Sequence, residues 1–136
     1  MSNRLLVIDD SNVHRVILCR IGEKAGFDAT PAASYDEAVK LLRESEYDCI
    51  TLDLSLGDRA GVEVLHFLSV INYRAPVIII SGAEDTIYEE SVKIGKALKL
   101  NLCTPIPKPL DLSVLHKLLA RIGQQADLQK LSRAPV

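Results

Sequence analysis

Five short apolar runs alternate with longer amphipathic segments, and this alternation limits the folds that the chain can adopt. The runs are four to seven residues long, and most are rich in β-branched residues, which is typical of strands. We predict strands over residues 5–8, 27–33, 49–54, 77–80 and 100–103. Because parallel strands require a long crossover connection, the alternation favours a parallel sheet that helices cover on both faces.

Apolar residues at helical spacing mark the segments between the predicted strands. The clearest stripes are Val13, Val16, Ile17 and Ile21 in the first segment and Leu115, Leu118, Leu119 and Ile122 in the last. Ser34 and Glu37 form a capping box at the start of the second helix, and Gly61 begins the third. The fourth helix, residues 86–99, is the least amphipathic and carries Gly95 in its interior. The fold class that follows is α/β, with a single doubly wound sheet of five parallel strands and five flanking helices.

Charge, hydropathy and cysteine content exclude several classes of protein. Sixteen basic and eighteen acidic residues give a net charge of −2, whereas nucleic-acid-binding domains usually carry a clear basic excess. The longest apolar runs, such as residues 77–80, are too short to span a membrane, and the N-terminus has no signal-peptide layout. The odd number of cysteines, without Cys-x-x-Cys spacing, argues against a disulfide scaffold or zinc ribbon and favours a reducing cytoplasm. The cysteines are Cys19, Cys49 and Cys103.

Polar side chains suited to phosphate chemistry follow four of the five predicted strands. Asp9 and Asp10 follow the first strand, and Asp53 ends the third. Ser81 ends the fourth strand, and Lys108 follows the fifth. Because ligands of open α/β sheets bind outside the carboxyl ends of the strands, we predict that these side chains form one site at that edge.

The residue types in this set predict a metal-dependent phosphoryl transfer. Carboxylates that lie together repel one another unless a cation holds them, and an all-oxygen site suits Mg²⁺. Mg²⁺ retains waters and phosphate oxygens, so we expect the site to be complete only when a phosphoryl group arrives. A carboxylate can act as the nucleophile and form an aspartyl phosphate. Lys108 would then provide a point charge for the phosphoryl oxygens, and Ser81 a hydrogen bond.

These motifs resemble the receiver domain of bacterial two-component response regulators. The residues that carry the resemblance are Leu5-Leu6-Val7-Ile8-Asp9-Asp10, Asp53, Ser81-Gly82-Ala83 and Lys108-Pro109. The resemblance covers a receiver domain at residues 4–123, which leaves residues 124–136 as a C-terminal tail or the start of a linker. It implies a flavodoxin-like sheet of strand order 2-1-3-4-5. It also implies that Asp53 is the phosphoacceptor, Ser81 the switch hydroxyl and Lys108 the phosphate lysine.

The same resemblance implies a metal site and a set of partners. Asp9, Asp10, Asp53 and the backbone carbonyl of Ser55 would hold Mg²⁺. A sensor histidine kinase or a phosphotransfer protein would donate the phosphoryl group, and the conformational change would act on a downstream output domain or protein. A homodimer is one expected form, whereas direct contact with nucleic acid or membrane is not expected. The domain would promote only its own phosphorylation and dephosphorylation, and its Lys108–Pro109 peptide bond would be cis.

The sequence departs from the usual receiver pattern at several positions that bear on signal output. Gly57 and Ala60 stand where receivers usually carry Pro and Asp after the phosphoacceptor. Pro105 takes the place of an aromatic switch residue, three positions before the lysine. Residues 95–102 are more similar to receivers attached to EAL-type cyclic-di-GMP phosphodiesterases. We therefore predict that the signal leaves mainly through residues 82–86 and the adjoining helix.

Other interpretations of the same residues stay open at this point. A haloacid-dehalogenase-like phosphatase would carry a second Asp two residues after its nucleophile, but Ser11 stands there after Asp9. A nucleotide- or flavin-binding domain should carry a Gly-rich loop after the first strand. A degenerate receiver that acts as a scaffold without phosphorylation is compatible with Pro105. We expect Asp58 and Glu84 to be solvated rim residues, and we expect surface positions for the three histidines, His14, His66 and His116.

Overall fold

Strands and helices alternate along the chain, as the apolar pattern predicts. The structure, a computed structural model, describes residues 3–56, 61–82 and 85–133, with only the backbone of Ser81 and residues 85–88. The strands are β1 (Asn3–Ile8), β2 (Phe27–Ala32), β3 (Cys49–Asp53), β4 (Val77–Ser81) and β5 (Ile106–Pro107). The helices are α1 (Asn12–Lys24), α2 (Tyr35–Glu44), α3 (Gly61–Val70), α4 (Asp85–Ala97) and α5 (Leu112–Arg133).

The five strands form one parallel sheet in the order β2-β1-β3-β4-β5. This order is that of the flavodoxin-like doubly wound fold, and it confirms the predicted fold class. The chain proceeds from β1 outward to β2, then crosses to the other side of β1 to form β3. The carboxyl ends of β1 and β3 therefore flank the point where the strand order changes direction, which is where ligands bind in such sheets.

Two apolar layers cover the two faces of the sheet. Successive residues of β1 point to opposite faces, so that Leu6 and Ile8 pack with α2 and α3 while Leu5 and Val7 pack with α1 and α5. These four side chains are at most 1% exposed. A strand that is buried on both faces needs a continuous apolar run, which explains why β1 was recognisable in the sequence.

The last strand lies later in the chain than predicted. Residues 100–103 were expected to form it, but there only Leu102 makes an isolated bridge, with Val77. Leu100 instead completes the end of α4, where its backbone N–H donates to the Gly95 carbonyl. Strand β5 is restricted to two residues, and Pro107 within it lacks the N–H that a longer ladder would need. The prediction of residues 100–103 is therefore wrong.

Helix α5 continues beyond residue 123, where the sequence suggested that the domain ends. The Asn3 side chain donates to the Gly123 carbonyl at 3.1 Å and to Asp127 Oδ1 at 2.9 Å. Lys130 Nζ forms an ion pair of 3.1 Å with Asp48 Oδ2. Residues 124–133 are thus helical, and the contacts of Asp127 and Lys130 attach this part of α5 to the amino-terminal end of the sheet. Among the described residues, no helix has both the length and the apolar character needed to cross a membrane.

Candidate functional site

The register of the central strands brings the predicted site residues to one edge of the sheet. Ile8 of β1 pairs with Leu52 of β3, so Asp9 and Asp53 are the next residues on two neighbouring strands. On the other side of β3, Asp53 pairs with Ile80, the residue before Ser81. Ser81 in turn pairs with Pro107, the residue before Lys108. The expectation that these residues lie together at the carboxyl ends of the strands therefore agrees with the positions of their backbones.

Asp53 is a buried carboxylate that a lysine and a backbone amide hold in place. Its side chain is 3% exposed, and Lys108 Nζ donates to Oδ2 at 2.9 Å. The Ser55 backbone N–H donates to Oδ1, also at 2.9 Å. Gly82 leaves the space that the lysine occupies, since a Cβ at this position would lie 3.0 Å from Lys108 Cδ. The Lys108–Pro109 peptide bond is cis, as predicted.

Asp9 is still more deeply buried, and one of its carboxylate oxygens has no hydrogen-bond partner among the described residues. The residue is 1% exposed, and its Oδ1 accepts a hydrogen bond of 2.9 Å from the Ser11 backbone N–H. No hydrogen-bond donor among the described residues reaches Oδ2. Burial raises the pKa of Asp9, the Ser11 N–H partly offsets this rise, and the nearby Asp53 charge adds to it. A buried carboxylate oxygen left unsatisfied is costly, so this atom fits the ligand of a cation.

The remaining predicted residues lie around this pair of carboxylates. Asp10 and Ser55 are exposed at the same edge of the sheet. The Ser81 backbone belongs to β4, and its side chain lies outside what the structure describes. Five residues that the sequence analysis named lie outside the described residues altogether. These are Gly57, Asp58, Ala60, Ala83 and Glu84.

His14 belongs to the site, although the sequence interpretation placed it on the surface. Its Nδ1 lies 3.6 Å from Asp9 Oδ2, and its side chain is 37% exposed. The ring and the carboxylates of Asp9 and Asp53 each offer one ligand atom within 4.8 Å of the others. His66, by contrast, is exposed, as expected. The signal that could have identified His14 is its position in the first turn of α1, because helical side chains lean toward the helix N-terminus.

Comparisons with known proteins show what this chain is similar to. The family model described as "Response regulator receiver domain" matches residues 5–120. The sporulation initiation phosphotransferase F of Bacillus subtilis (strain 168) is 28% identical over 116 residues, which are 85% of this chain and 90% of that protein. The cell cycle transcriptional regulator CtrA of Caulobacter vibrioides is 32% identical over 82 residues, 60% of this chain. The match spans only 36% of the length of that regulator.

A solved structure is similar over nearly the whole chain. It is a response regulator protein from Burkholderia pseudomallei, described with a phosphorylated aspartic acid, a calcium ion and citrate. Its TM-score is 0.73 at 26% identity, over 98% of this chain and 76% of that one. In that relative, therefore, an aspartate carries phosphate and a divalent cation is present.

Proposed function

Because the chain belongs to the response regulator receiver domain family, we propose that Asp53 is its phosphoacceptor and that Lys108 and Ser81 assist the transfer. Phosphorylation on an aspartate is the standard function of this family, whose members regulate signalling in two-component systems. The observation that carries the assignment to Asp53 is its contact with Lys108, beside the unsatisfied oxygen of Asp9. This arrangement combines a nucleophile, a phosphate-binding cation and a metal ligand at the switch point of the sheet.

The chemistry of the transfer follows from the positions of these groups. A carboxylate oxygen of Asp53 attacks the phosphorus atom of the donor, and an oxygen–phosphorus bond forms as the donor bond breaks. With a phosphohistidine donor, the leaving imidazole nitrogen takes a proton from solvent. Lys108 Nζ already lies 2.9 Å from Asp53 Oδ2, so it can bind a phosphoryl oxygen with little movement. We assign the second hydrogen bond to the Ser81 hydroxyl, at the end of β4.

We further propose that Asp9, Asp10, Asp53 and the Ser55 carbonyl hold Mg²⁺. The support is the donor set, which is all oxygen, and the buried Oδ2 of Asp9 without a hydrogen-bond partner among the described residues. When bound, Mg²⁺ supplies positive charge that neutralises the phosphoryl oxygens. The calcium ion described for the Burkholderia relative is consistent with a divalent cation at such a site.

The proposed partners are a phosphodonor and an output protein. A sensor histidine kinase or a phosphotransfer protein is the proposed donor, and a downstream domain or protein, or a second copy of this chain, is the proposed recipient of the signal. The receiver unit is proposed at residues 4–123, with α5 extending from it. The three free cysteines favour a cytoplasmic location. The link to EAL-type phosphodiesterases stays a prediction, as does a regulatory rather than enzymatic role.

The scaffold interpretation predicts no phosphoryl uptake, and this difference provides the test. Purified protein is incubated with acetyl phosphate in Mg²⁺ and, separately, in EDTA, and its intact mass is measured. We expect a gain of one phosphoryl group in Mg²⁺ and none in EDTA. If the mass is unchanged in Mg²⁺ while the protein is folded by circular dichroism, the proposed function is wrong and the scaffold interpretation is favoured.

A further inference from the structure

We propose that His14 is a nitrogen ligand of the cation site, so that this receiver binds Mn²⁺ and related transition-metal ions more tightly than Mg²⁺. The proposal rests on the proposed function to the extent that both place a divalent cation beside Asp9 and Asp53. It adds a ligand that the all-oxygen site does not contain. It also changes the expected metal preference of the protein.

The separation of the candidate ligand atoms suits one shared ion. Two ligand atoms bound about 2.1 Å from an ion, and 90–109° apart, lie about 3.0–3.4 Å from each other. His14 Nδ1 and Asp9 Oδ2 are 3.6 Å apart, which is close to this range and too long for a hydrogen bond. The Asp53 carboxylate contributes a third atom, and the three atoms lie within 4.8 Å of one another. Small side-chain movements would bring all three to one ion.

Neither of the two facing atoms has a hydrogen-bond partner in the part of the chain that the structure describes. Asp9 Oδ2 and His14 Nδ1 are buried, and no hydrogen-bond partner for either is found among the described residues. Most buried polar atoms in proteins do have such a partner, so two facing exceptions require an explanation. An ion between them satisfies both atoms. The His14 side chain is 37% exposed as a whole, although its Nδ1 is buried.

The backbone between Asp9 and His14 holds the two side chains in this arrangement. Ser11 is the N-cap of α1, and its Oγ accepts a hydrogen bond of 3.3 Å from the His14 backbone N–H. The Ser11 N–H occupies Asp9 Oδ1, which leaves Oδ2 as the oxygen that is available. The Arg15 guanidinium donates to the Asp9 carbonyl at 2.8 Å and joins the first helical turn to the end of β1. Ligands held in this way bind a metal without a large ordering cost.

The nitrogen atom is what alters the metal preference. Mg²⁺ is a hard ion that favours carboxylate, carbonyl and water oxygens, whereas imidazole suits the first-row transition metals. Replacing His14 by Gln should therefore weaken Mn²⁺ binding and leave Mg²⁺ binding nearly unchanged. We expect the Mn²⁺ affinity to fall about ten- to a hundredfold, since even outer-shell changes at metal sites commonly cost that much.

Pulsed electron paramagnetic resonance of the Mn²⁺ complex tests this directly, because it detects nitrogen bound to the ion. The samples are the wild type, His14→Gln and the matched control His66→Gln, which changes an exposed histidine on α3. Calorimetric titrations with Mn²⁺ and Mg²⁺ accompany the spectra. We expect ¹⁴N modulation in the wild type and the control and none in His14→Gln. Wild-type protein with ¹⁵N-labelled histidine should show ¹⁵N modulation instead, a result that depends on no variant.

Two outcomes would overturn the proposal. They are a wild-type spectrum without nitrogen modulation and a His14→Gln spectrum with the wild-type modulation. Phosphoryl uptake from acetyl phosphate in Mg²⁺, measured on the same samples, separates this proposal from the proposed function. Uptake without nitrogen modulation contradicts only the role of His14. Nitrogen modulation without uptake contradicts only the proposed phosphorylation.

Discussion

Lys108 Nζ donates a hydrogen bond of 2.9 Å to Oδ2 of Asp53, although the two residues are 55 positions apart in the chain. The contact joins the end of β3 to the segment after β5, across β4. It places the positively charged ammonium group of Lys108 beside the carboxylate that is proposed to accept phosphate. A second Asp–Lys pair, Asp48 with Lys130, lies at the opposite end of β3 and provides a natural comparison.

The first prediction concerns the stability that Lys108 contributes. Lys108→Met leaves a carboxylate that is 3% exposed without its lysine, so we expect the free energy of unfolding in EDTA to fall by about 1–3 kcal/mol. Lys130→Met is the matched control, because Asp48 is 24% exposed and better solvated. There we expect a loss below about 1 kcal/mol. Urea denaturation measures both losses in the free energy of unfolding. Equal losses would show that the burial of Asp53 does not make its ion pair more stabilising than that of Asp48.

The second prediction concerns the start of α3, which faces the residues after Asp53. A Cβ on Gly61 would lie 2.8 Å from Leu54 Cα and 3.0 Å from the Asp53 carbonyl oxygen. Because backbone atoms cannot yield easily, Gly61→Ala should lower the free energy of unfolding by about 1–3 kcal/mol. A Cβ on Gly123 would have its nearest contact at 3.5 Å, an ordinary van der Waals distance. Gly123→Ala should therefore raise the free energy of unfolding by about 0.5–1 kcal/mol. Thermal unfolding distinguishes the two, and a stabilised Gly61→Ala variant would contradict the packing described.

The third prediction concerns the pH dependence of stability without metal. The pKa of Asp9 is raised in the folded protein above its ordinary value of 3.8, mainly by burial. The folded state therefore binds a proton at Asp9 more tightly than the unfolded state does. As the pH rises from 3.8 through the raised pKa of the folded state, ionisation of Asp9 progressively lowers stability. Asp9→Asn keeps an oxygen that can accept from Ser11 N–H but removes the charge. In EDTA we expect the variant to be more stable than the wild type at pH 7.

The dependence of stability on pH provides both the control for Asp9→Asn and the result that would contradict the prediction. The advantage of the variant should shrink as the pH falls through the raised pKa of Asp9 and reach a constant value below 3.8, where the carboxyl is protonated in both states. Asp28→Asn, at an exposed position of β2, should show no comparable change. A stability difference for Asp9→Asn that is the same at every pH would contradict the prediction.

The fourth prediction concerns the route by which the signal leaves the site. Pro105 has no aromatic ring to move and a nearly fixed φ, and β5 beside it is only two residues long. We therefore expect beryllofluoride, which mimics the acyl phosphate, to shift the NMR signals of residues 82–95 more than those of residues 101–106. The largest shifts within residues 101–106, or none outside the site, would contradict this route.

The parts of the fold that could be predicted are those determined by local pattern and by burial. Strands β1, β3 and β4 are buried on both faces, so each contains a run of mainly apolar residues in the sequence. Strand β5 could not be located in this way, because the apolar residues before it pack on other elements. Leu102, for example, lies against Gly95, which explains why a glycine stands in the interior of α4.

The site shows the same division between local and long-range causes. Asp53 is the last residue of β3, and Asp9 and Lys108 directly follow β1 and β5, so their positions at the strand ends bring the three together. The contact of His14 depends instead on how α1 leaves β1 after its Ser11 cap, which apolar spacing does not encode. Likewise, the pairing of Lys130 with Asp48 depends on the exact path of α5, since the two residues are 82 positions apart in the chain.

The most direct test of the central claim is the intact mass of three proteins after incubation with acetyl phosphate and Mg²⁺. They are the wild type, Asp53→Asn and the control Asp48→Asn, which changes the aspartate paired with Lys130 at the other end of β3. We expect the wild type and Asp48→Asn to gain one phosphoryl group and Asp53→Asn to gain none. An equal gain in folded Asp53→Asn would contradict the assignment of Asp53 as the phosphoacceptor.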